Sequence, residues 1–195
     1  MSMLGRKVVV RAIEDRDLDK IVQWRNDPAV YGGFVEYAPL SLAAQSQFLE
    51  SLGPNSDRLL WMVDWRDTGS ELSVTTRTAI GMVGLIGIDM RNRHCEFGPV
   101  FIGEYKYRGK GAALEAELLV LHYAFMHLGM HKVFAHITES NAKVLAFHAK
   151  AGFGLEHTLK EHIFKHGKFE SLHLMSVLAD EFSQHIEHIA WTPGG

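Results

Sequence analysis

Residues 105–125 read "YKYRGKGAALEAELLVLHYAF", and how this stretch is assigned decides the rest of the fold. Two glycines and two basic residues fill positions 108–111, and a long amphipathic run follows. Leu114, Leu118, Leu121, Phe125 and Leu128 alternate four and three apart, the spacing of one buried helical face, with Gly129 placed as its C-terminal cap. The preceding "CEFGPVFI" (95–102) reads as a strand. A helix N-terminus offers unpaired N–H groups and the positive end of the helix dipole, and glycines let a backbone fold closely around an anion. "RGKGAA" therefore reads as a phosphate or pyrophosphate cradle, or else as a turn carrying a solvated basic pair. Two familiar loops are excluded. A P-loop needs GxxxxGK[ST], and Lys110 is followed by Gly111 and Ala112. A dinucleotide fingerprint needs a third glycine, and Leu114 stands there.

Working outward, "KVVVRAI" (7–13) is a strand. A helix follows it through Leu18, Ile21 and Val22, with Asp15 or Asp17 as cap, until Pro28 breaks it. "VYGGFVEYAPLS" (30–41) reads as a loop. Ser41 caps a second helix through Leu42, Phe48, Leu49 and Leu52, its apolar stripe assigned to the core. "LLWMVDW" and "TAIGMVGLIGIDM" are strands, the latter joined to "CEFGPVFI" by the turn "RNRH". Gly81, Gly84 and Gly87 are costly in a strand unless a bulge or a close approach uses them. "KVFAHI" is a strand, "NAKVLAFHAKAGF" a short helix ended by Gly152, and "EHTLKEHIF" with "ESLHLMSVLA" a closing pair of strands. The expected fold is α/β of the α+β kind. A mixed, mostly antiparallel sheet of about seven strands carries four helices on its two faces, in the order β-α-α-β-β-β-α-β-α-β-β. One domain of 195 residues is expected, with a core over 8–180 and a tail from 181.

Composition narrows the function. The net charge of -3, with no basic tail, argues against nucleic-acid binding. A single cysteine, Cys95, excludes an intrachain disulfide and fits a reducing compartment. The N-terminus is no signal peptide and no apolar run approaches a membrane span, so a soluble cytoplasmic protein without membrane partners is expected. The histidines at 157, 162 and 166, or at 122, 127 and 131, lack HExxH or paired-cysteine context, so no metal is expected.

Arg108-x-x-Gly111-x-Ala113 resembles the [Q/R]-x-x-G-x-[G/A] signature of the GNAT superfamily, the acetyl-CoA-dependent N-acetyltransferases. "NAKVLAFHAKAGF" is similar to a second element of that superfamily, N-x-x-A-x-x-x-Y-x-x-x-G-F, with Asn141, Gly152 and Phe153 in register. "EFGPVFIGEYKYRGKG" and "WRNDPAV" resemble the branch containing ribosomal-protein N-terminal, polyamine and nucleotide-amino-sugar acetyltransferases. The resemblance implies a fold with a V-shaped cleft between "CEFGPVFI" and "KVFAHI", and acetyl-CoA as cosubstrate. It implies that the backbone of Arg108, Gly109, Lys110, Gly111, Ala112 and Ala113 holds the pyrophosphate. By the same resemblance Val100, Phe101 and Ile102 line the pantetheine arm, and Asn141 touches its far end.

Direct transfer to an amine needs a base for the ammonium proton and an acid for the thiolate. Glu96, in the strand flanking the cleft, is the expected base, or else a salt-bridged strand carboxylate; Glu36 and Glu104 are weaker candidates. His148 stands where many family members have a tyrosine acid. Imidazole is the stronger acid of the two, provided a carboxylate supports its cation. Cys95, just before Glu96 in its strand, offers no nucleophile signature and is not expected to form a covalent intermediate. Tyr31, Glu36 and Tyr37 are expected to meet the acceptor, with Phe34 as an apolar plug. Arg25 and Asn26 either bind an acceptor phosphate or only hydrogen-bond the loop. The implied reaction is N-acetylation of a small-molecule amine such as an amino sugar or polyamine, by a monomer or homodimer. A protein N-terminus as acceptor, or a coenzyme A sensor without turnover, are the alternatives.

Overall fold

The computed structural model of the chain describes residues 2–34, 38–53, 56–67 and 76–194. Its strands are β1 (Ser2–Leu4), β2 (Val8–Ala12), β3 (Leu59–Asp67), β4 (Thr76–Asp89), β5 (His94–Ile102), β6 (Lys132–Thr138), β7 (Gly154–Lys165) and β8 (Lys168–Leu178). Its α-helices are α1 (Leu18–Arg25), α2 (Pro28–Tyr31), α3 (Leu42–Glu50), α4 (Ala112–Met126), α5 (Ala142–Ala149) and α6 (Ala179–His188). The strands form one sheet in the order β1-β2-β3-β4-β5-β6-β8-β7. The mixed, mostly antiparallel sheet expected from sequence is present, with one more strand and two more helices among the described residues.

Each addition has a local cause. The three residues of β1 pair with β2 but are too few to show a period. Pro28 opens a helix rather than only ending one. It occupies the first turn of α2, where its missing N–H costs nothing, and the Asp27 carboxylate accepts from the Ala29 N–H at 2.9 Å. The expected tail from 181 begins instead inside α6. Phe182 of that helix is fully buried, with its ring 5.1 Å from Phe125.

The sheet separates two apolar layers. One takes α4, α6 and Val144 and Leu145 of α5 against Val8, Val10, Val83, Leu85 and Phe97. The other takes Ile21 and Trp24 of α1 and Val30 of α2 against Met62, Met82 and Phe101. Two sequence expectations change here. α4 is buried almost all round rather than on one stripe, and Glu117 lies inside its buried set. The stripe expected to bury α3 does turn inward, but its fully buried member is a polar residue: Gln45 is 1% exposed at its centre, Phe48, Leu49 and Leu52 are half-buried, and Leu42 is 46% exposed. A buried triad ties the start of α1 to the sheet. Arg11 donates to both oxygens of Asp17 (2.6 and 2.9 Å) and to Asp64 (2.7 Å).

The ladder between β5 and β6 positions the site. It is the parallel pair of the sheet, and it stops after His94–Lys132, Cys95–Val133 and Glu96–Phe134. From there β5 follows β4 while β6 follows β8, so the two strands splay. A bulge in β5 sharpens the divergence. Val83 faces Val100 and Leu85 faces Phe97, which leaves both Gly98 and Pro99 opposite Gly84. The pleat therefore changes parity: Cys95 and Phe97 face the α4 layer before the bulge, and Val100 and Ile102 face it afterwards. Glycine is needed at 81 in β4, because a Cβ there would stand 2.1 Å from the Phe101 carbonyl oxygen.

Candidate active site

A cleft of about 910 Å³ opens where β5 and β6 part. It runs from Arg108, Gly109 and Ala113 past Asn141 and His148 to Arg25, Phe34 and Gln45. Both faces of the sheet thus contribute to one cavity.

The glycine-rich turn forms the first wall. Gly111 caps α4 with φ at +85°, and Gly109 lies at +75°, a region glycine occupies without strain. The first intrahelical bond runs from the Glu115 N–H to the Gly111 carbonyl, so the N–H groups of Ala112, Ala113 and Leu114 are free of i−4 partners. Gly109, Lys110 and Gly111 likewise donate to no described carbonyl. Arg108 differs from the expectation. Its N–H is donated to Tyr105, and its guanidinium donates to the carbonyls of Ile102 (2.8 Å) and Gly103 (3.4 Å). It braces the turn, and the available donors begin at Gly109. A cation that the sequence reading missed lies beneath them: Lys7 Nζ donates to the Lys110 carbonyl at 3.0 Å. The first turn is held from behind by Glu115, whose carboxylate accepts from the N–H groups of Arg6, Lys7 and Val8. This turn fits a pyrophosphate, since it offers a run of convergent N–H donors, a nearby ammonium and no side chain at 109 or 111.

At the fork stand two histidine–carboxylate pairs. Glu96 and His136 meet at 3.0 Å between Oε1 and Nδ1, each roughly a third exposed or less, and both line the cleft. Glu117 and His148 meet at 2.5 Å on the other side, with side chains 0% and 3% exposed. The second Glu117 oxygen is buried without a partner. Burial pushes the Glu117 carboxyl up, against the lowering pull of the His148 hydrogen bond. Phe97, Phe147 and Phe153 surround the His148 ring. Neither partner was anticipated. Glu117 had a signal, as the lone charge in the otherwise apolar "AELLVL"; His136 had none without the β5–β6 register.

Val100, Phe101 and Ile102 line the cleft where β5 has left β6. Asn141 caps α5 without a side-chain cap bond, and its Nδ2 would lie 3.4 Å from a Cβ at Gly33, so it spans the two walls. On the acceptor side, Tyr31 ends α2 outside the set of cleft-lining residues, whereas Phe34 lines the cleft and packs edge-on to Phe101 at 5.9 Å. Glu36 and Tyr37 lie outside the described residues. Glu104 is paired with Lys20 at 3.5 Å, away from the cleft lining. Asn26 is a loop strut, exchanging two hydrogen bonds with the Leu40 backbone. Arg25 lines the cleft. Cys95 is fully buried, and desolvation pushes its thiol up to about 12, so it supplies no thiolate. Among the described residues no group of three or more His, Cys, Asp or Glu side chains could hold a metal ion. No helix among them is long and apolar enough to cross a membrane.

Residues 7–154 match the family profile described as "Acetyltransferase (GNAT) domain". A spermidine N(1)-acetyltransferase of Vibrio cholerae is 30% identical over 106 residues, 54% of this chain and 60% of that protein, so the match spans less than two thirds of the relative. The crystal structure of spermidine N-acetyltransferase from Vibrio cholerae in complex with CoA and spermine superposes with a TM-score of 0.80 at 23% identity, covering 92% of this chain and 99% of that one. A dodecameric structure of the Vibrio cholerae enzyme gives 0.73 at 24% identity, covering 91% and 97%. At these identities the two superpositions show the shared fold.

Proposed function

The chain belongs to the acetyltransferase (GNAT) family, and from that premise we propose that it acetylates small-molecule primary amines, of the amino-sugar or polyamine type, with acetyl-CoA. One observation carries the reading. A single cleft joins a turn of free N–H donors to a strand fork that holds two histidine–carboxylate pairs. The cosubstrate supplies an activated acyl carbonyl as a thioester. Gly109, Lys110, Gly111, Ala112 and Ala113 hold its pyrophosphate, with Lys7 adding charge from below. Val100, Phe101, Ile102 and Asn141 line its arm, where the unpaired edge of β5 offers backbone donors to the carbonyl.

Glu96, held by His136, takes the proton that keeps an amine cationic at neutral pH. The nitrogen lone pair then forms the C–N bond, the C–S bond breaks, nitrogen loses one further proton to Glu96 once the first has passed to solvent, and sulfur gains one. That last proton is assigned to the buried His148–Glu117 pair, which delivers it through His148, the partner that lines the cleft. The dodecamer described for the Vibrio enzyme exceeds the monomer or homodimer expected from sequence, and light scattering on this chain decides its own state.

The test is thiol release from acetyl-CoA over a panel of amino sugars, polyamines, aminoglycosides and N-terminal peptides, beside calorimetry with coenzyme A. Release with a small amine is expected. Binding without release on any amine would leave a coenzyme A sensor, and release on peptides alone an N-terminal acetyltransferase. Gly111→Val should abolish coenzyme A binding, because a side chain would fill the anion's space and a Cβ there already stands 3.1 Å from Lys7 Nζ. Retained binding would remove the turn from the site.

A further inference from the structure

Among the described residues, the acceptor wall of the cleft contains a cation without a counter-charge. Arg25 closes α1, half-buried, and lines the cleft. Among the described residues its guanidinium has no carboxylate and no hydrogen-bond acceptor. It lies over the Phe34 ring, with Cζ 5.7 Å from the ring centroid. Burial lowers its pKa, and among the described residues no anion works the other way. The guanidinium carries five N–H donors in one plane, and a half-desolvated one without an acceptor is costly unless a ligand supplies it. Its neighbours are held in place. Lys165 Nζ donates to the carbonyls of Gly32 and Phe34, both at 2.7 Å, fixing the loop that carries the ring.

A second observation points the same way. Gln45 is 1% exposed, lines the same wall, and its Oε1 is buried with no partner. It sits where α3 would be expected to bury a leucine. Of the described residues lining the whole cleft, only Glu96 is a carboxylate, against Arg25, Arg58, Arg108 and Lys143. A polycationic acceptor would meet repulsion there. An acceptor with an anion at one end and hydroxyl or ammonium donors beside it would satisfy both orphaned groups.

On the acetyltransferase reading above, we infer that the acceptor amine carries an anionic group, carboxylate or phosphate, which Arg25 binds, while Gln45 accepts a hydrogen bond from the same molecule. Arg25 is thus the specificity residue of the acceptor wall.

Matched amines test this by kcat/KM: glucosamine 6-phosphate against glucosamine, serine against ethanolamine, and spermidine as the polycation. An anionic member should exceed its neutral match by about 10- to 100-fold, the range of a charge-assisted bidentate contact. The pair that shows the gap identifies phosphate or carboxylate. In Arg25→Met the ratio should fall towards one, chiefly through KM. Coenzyme A calorimetry verifies that the variant folds. If it does not fold, Arg25→Lys, which keeps charge but not the fork, should still cut the ratio several-fold. A preference for the neutral amine or for spermidine, or an anionic preference intact in the variants, overturns the inference. If no amine releases thiol, the transferase reading fails separately. The anion site is then judged by calorimetry of glucosamine 6-phosphate and serine on the coenzyme A-loaded protein. Binding that Arg25→Met weakens upholds the site; no binding, or binding that the variant leaves equal, ends it.

Discussion

Glu96–His136 and Glu117–His148 are the same two functional groups at opposite extremes of solvation. The first pair joins β5 to β6 at the mouth of the fork, in reach of water, and either partner can lose the other and remain hydrated. The second joins α4 to α5 inside the apolar layer, with one Glu117 oxygen left bare. A proton taken by the first pair can pass to solvent. A proton in the second has nowhere to go but across the pair or into the cleft. Exposure, rather than residue type, divides an acceptor of protons from a holder of one.

The comparison breaks first at Glu96. Glu96→Gln should lower kcat by about 10²- to 10⁴-fold, the usual range for a general base, while leaving the urea midpoint where it was. An unchanged kcat would take Glu96 out of the chemistry. His148→Phe should lower kcat on the order of 10²-fold with KM for acetyl-CoA nearly constant. Unlike the first variant, it should also cost about 3–5 kcal/mol of stability, because Glu117 is left buried and unpaired. Replacing both partners, His148→Phe with Glu117→Leu, should recover most of that stability but none of the rate. If the double variant unfolds as easily as the single one, the pair is not the unit described.

Acid titration of stability gives the smallest effects, and they have opposite signs. Asp17, remote from the cleft, is held below the usual carboxylate range; burial opposes this, and the Arg11 hydrogen bond leads the effects that outweigh it. Its contribution is complete above the unfolded value of about 3.9 and is lost as pH falls through the depressed folded value. Glu117 is pushed up, so the native state holds its proton more tightly. Its contribution is present below the unfolded value and declines as pH rises through the folded one. Urea midpoints across pH should therefore show a shallower acid limb in Asp17→Asn, and less loss on raising pH in Glu117→Gln. The same slope change in both would contradict the opposite displacements of the two buried carboxyls.

What the sequence made legible was local. The glycine turn, the α4 start and the α5 element are each contained within about a dozen residues, and their spacing carried the part of the cleft proposed to hold coenzyme A. The partner of Glu96 and the cation beneath the turn depend on contacts between distant segments. His136 becomes Glu96's partner only through a parallel register, and Lys7 reaches Lys110 only because β2 lies beside α4. α3 was legible only in part. Its apolar period gave the inward face, but not that the residue buried at the centre of that face would be Gln45. Pro28 showed that a helix breaker and a helix opener look alike until the cap at Asp27 is seen.

Glu115 has a consequence at a distance. It stands in the first turn of α4, yet spends both carboxylate oxygens on the N–H groups of residues 6–8. An anion seated on the turn and the amides at the start of β2 are thus tied to the same helical turn from opposite sides. Tightening one end of α4 should slow the solvent exchange of amide hydrogens at the chain's beginning, more than a hundred residues away in sequence. Those three amides would serve as a built-in gauge of whether the turn is occupied.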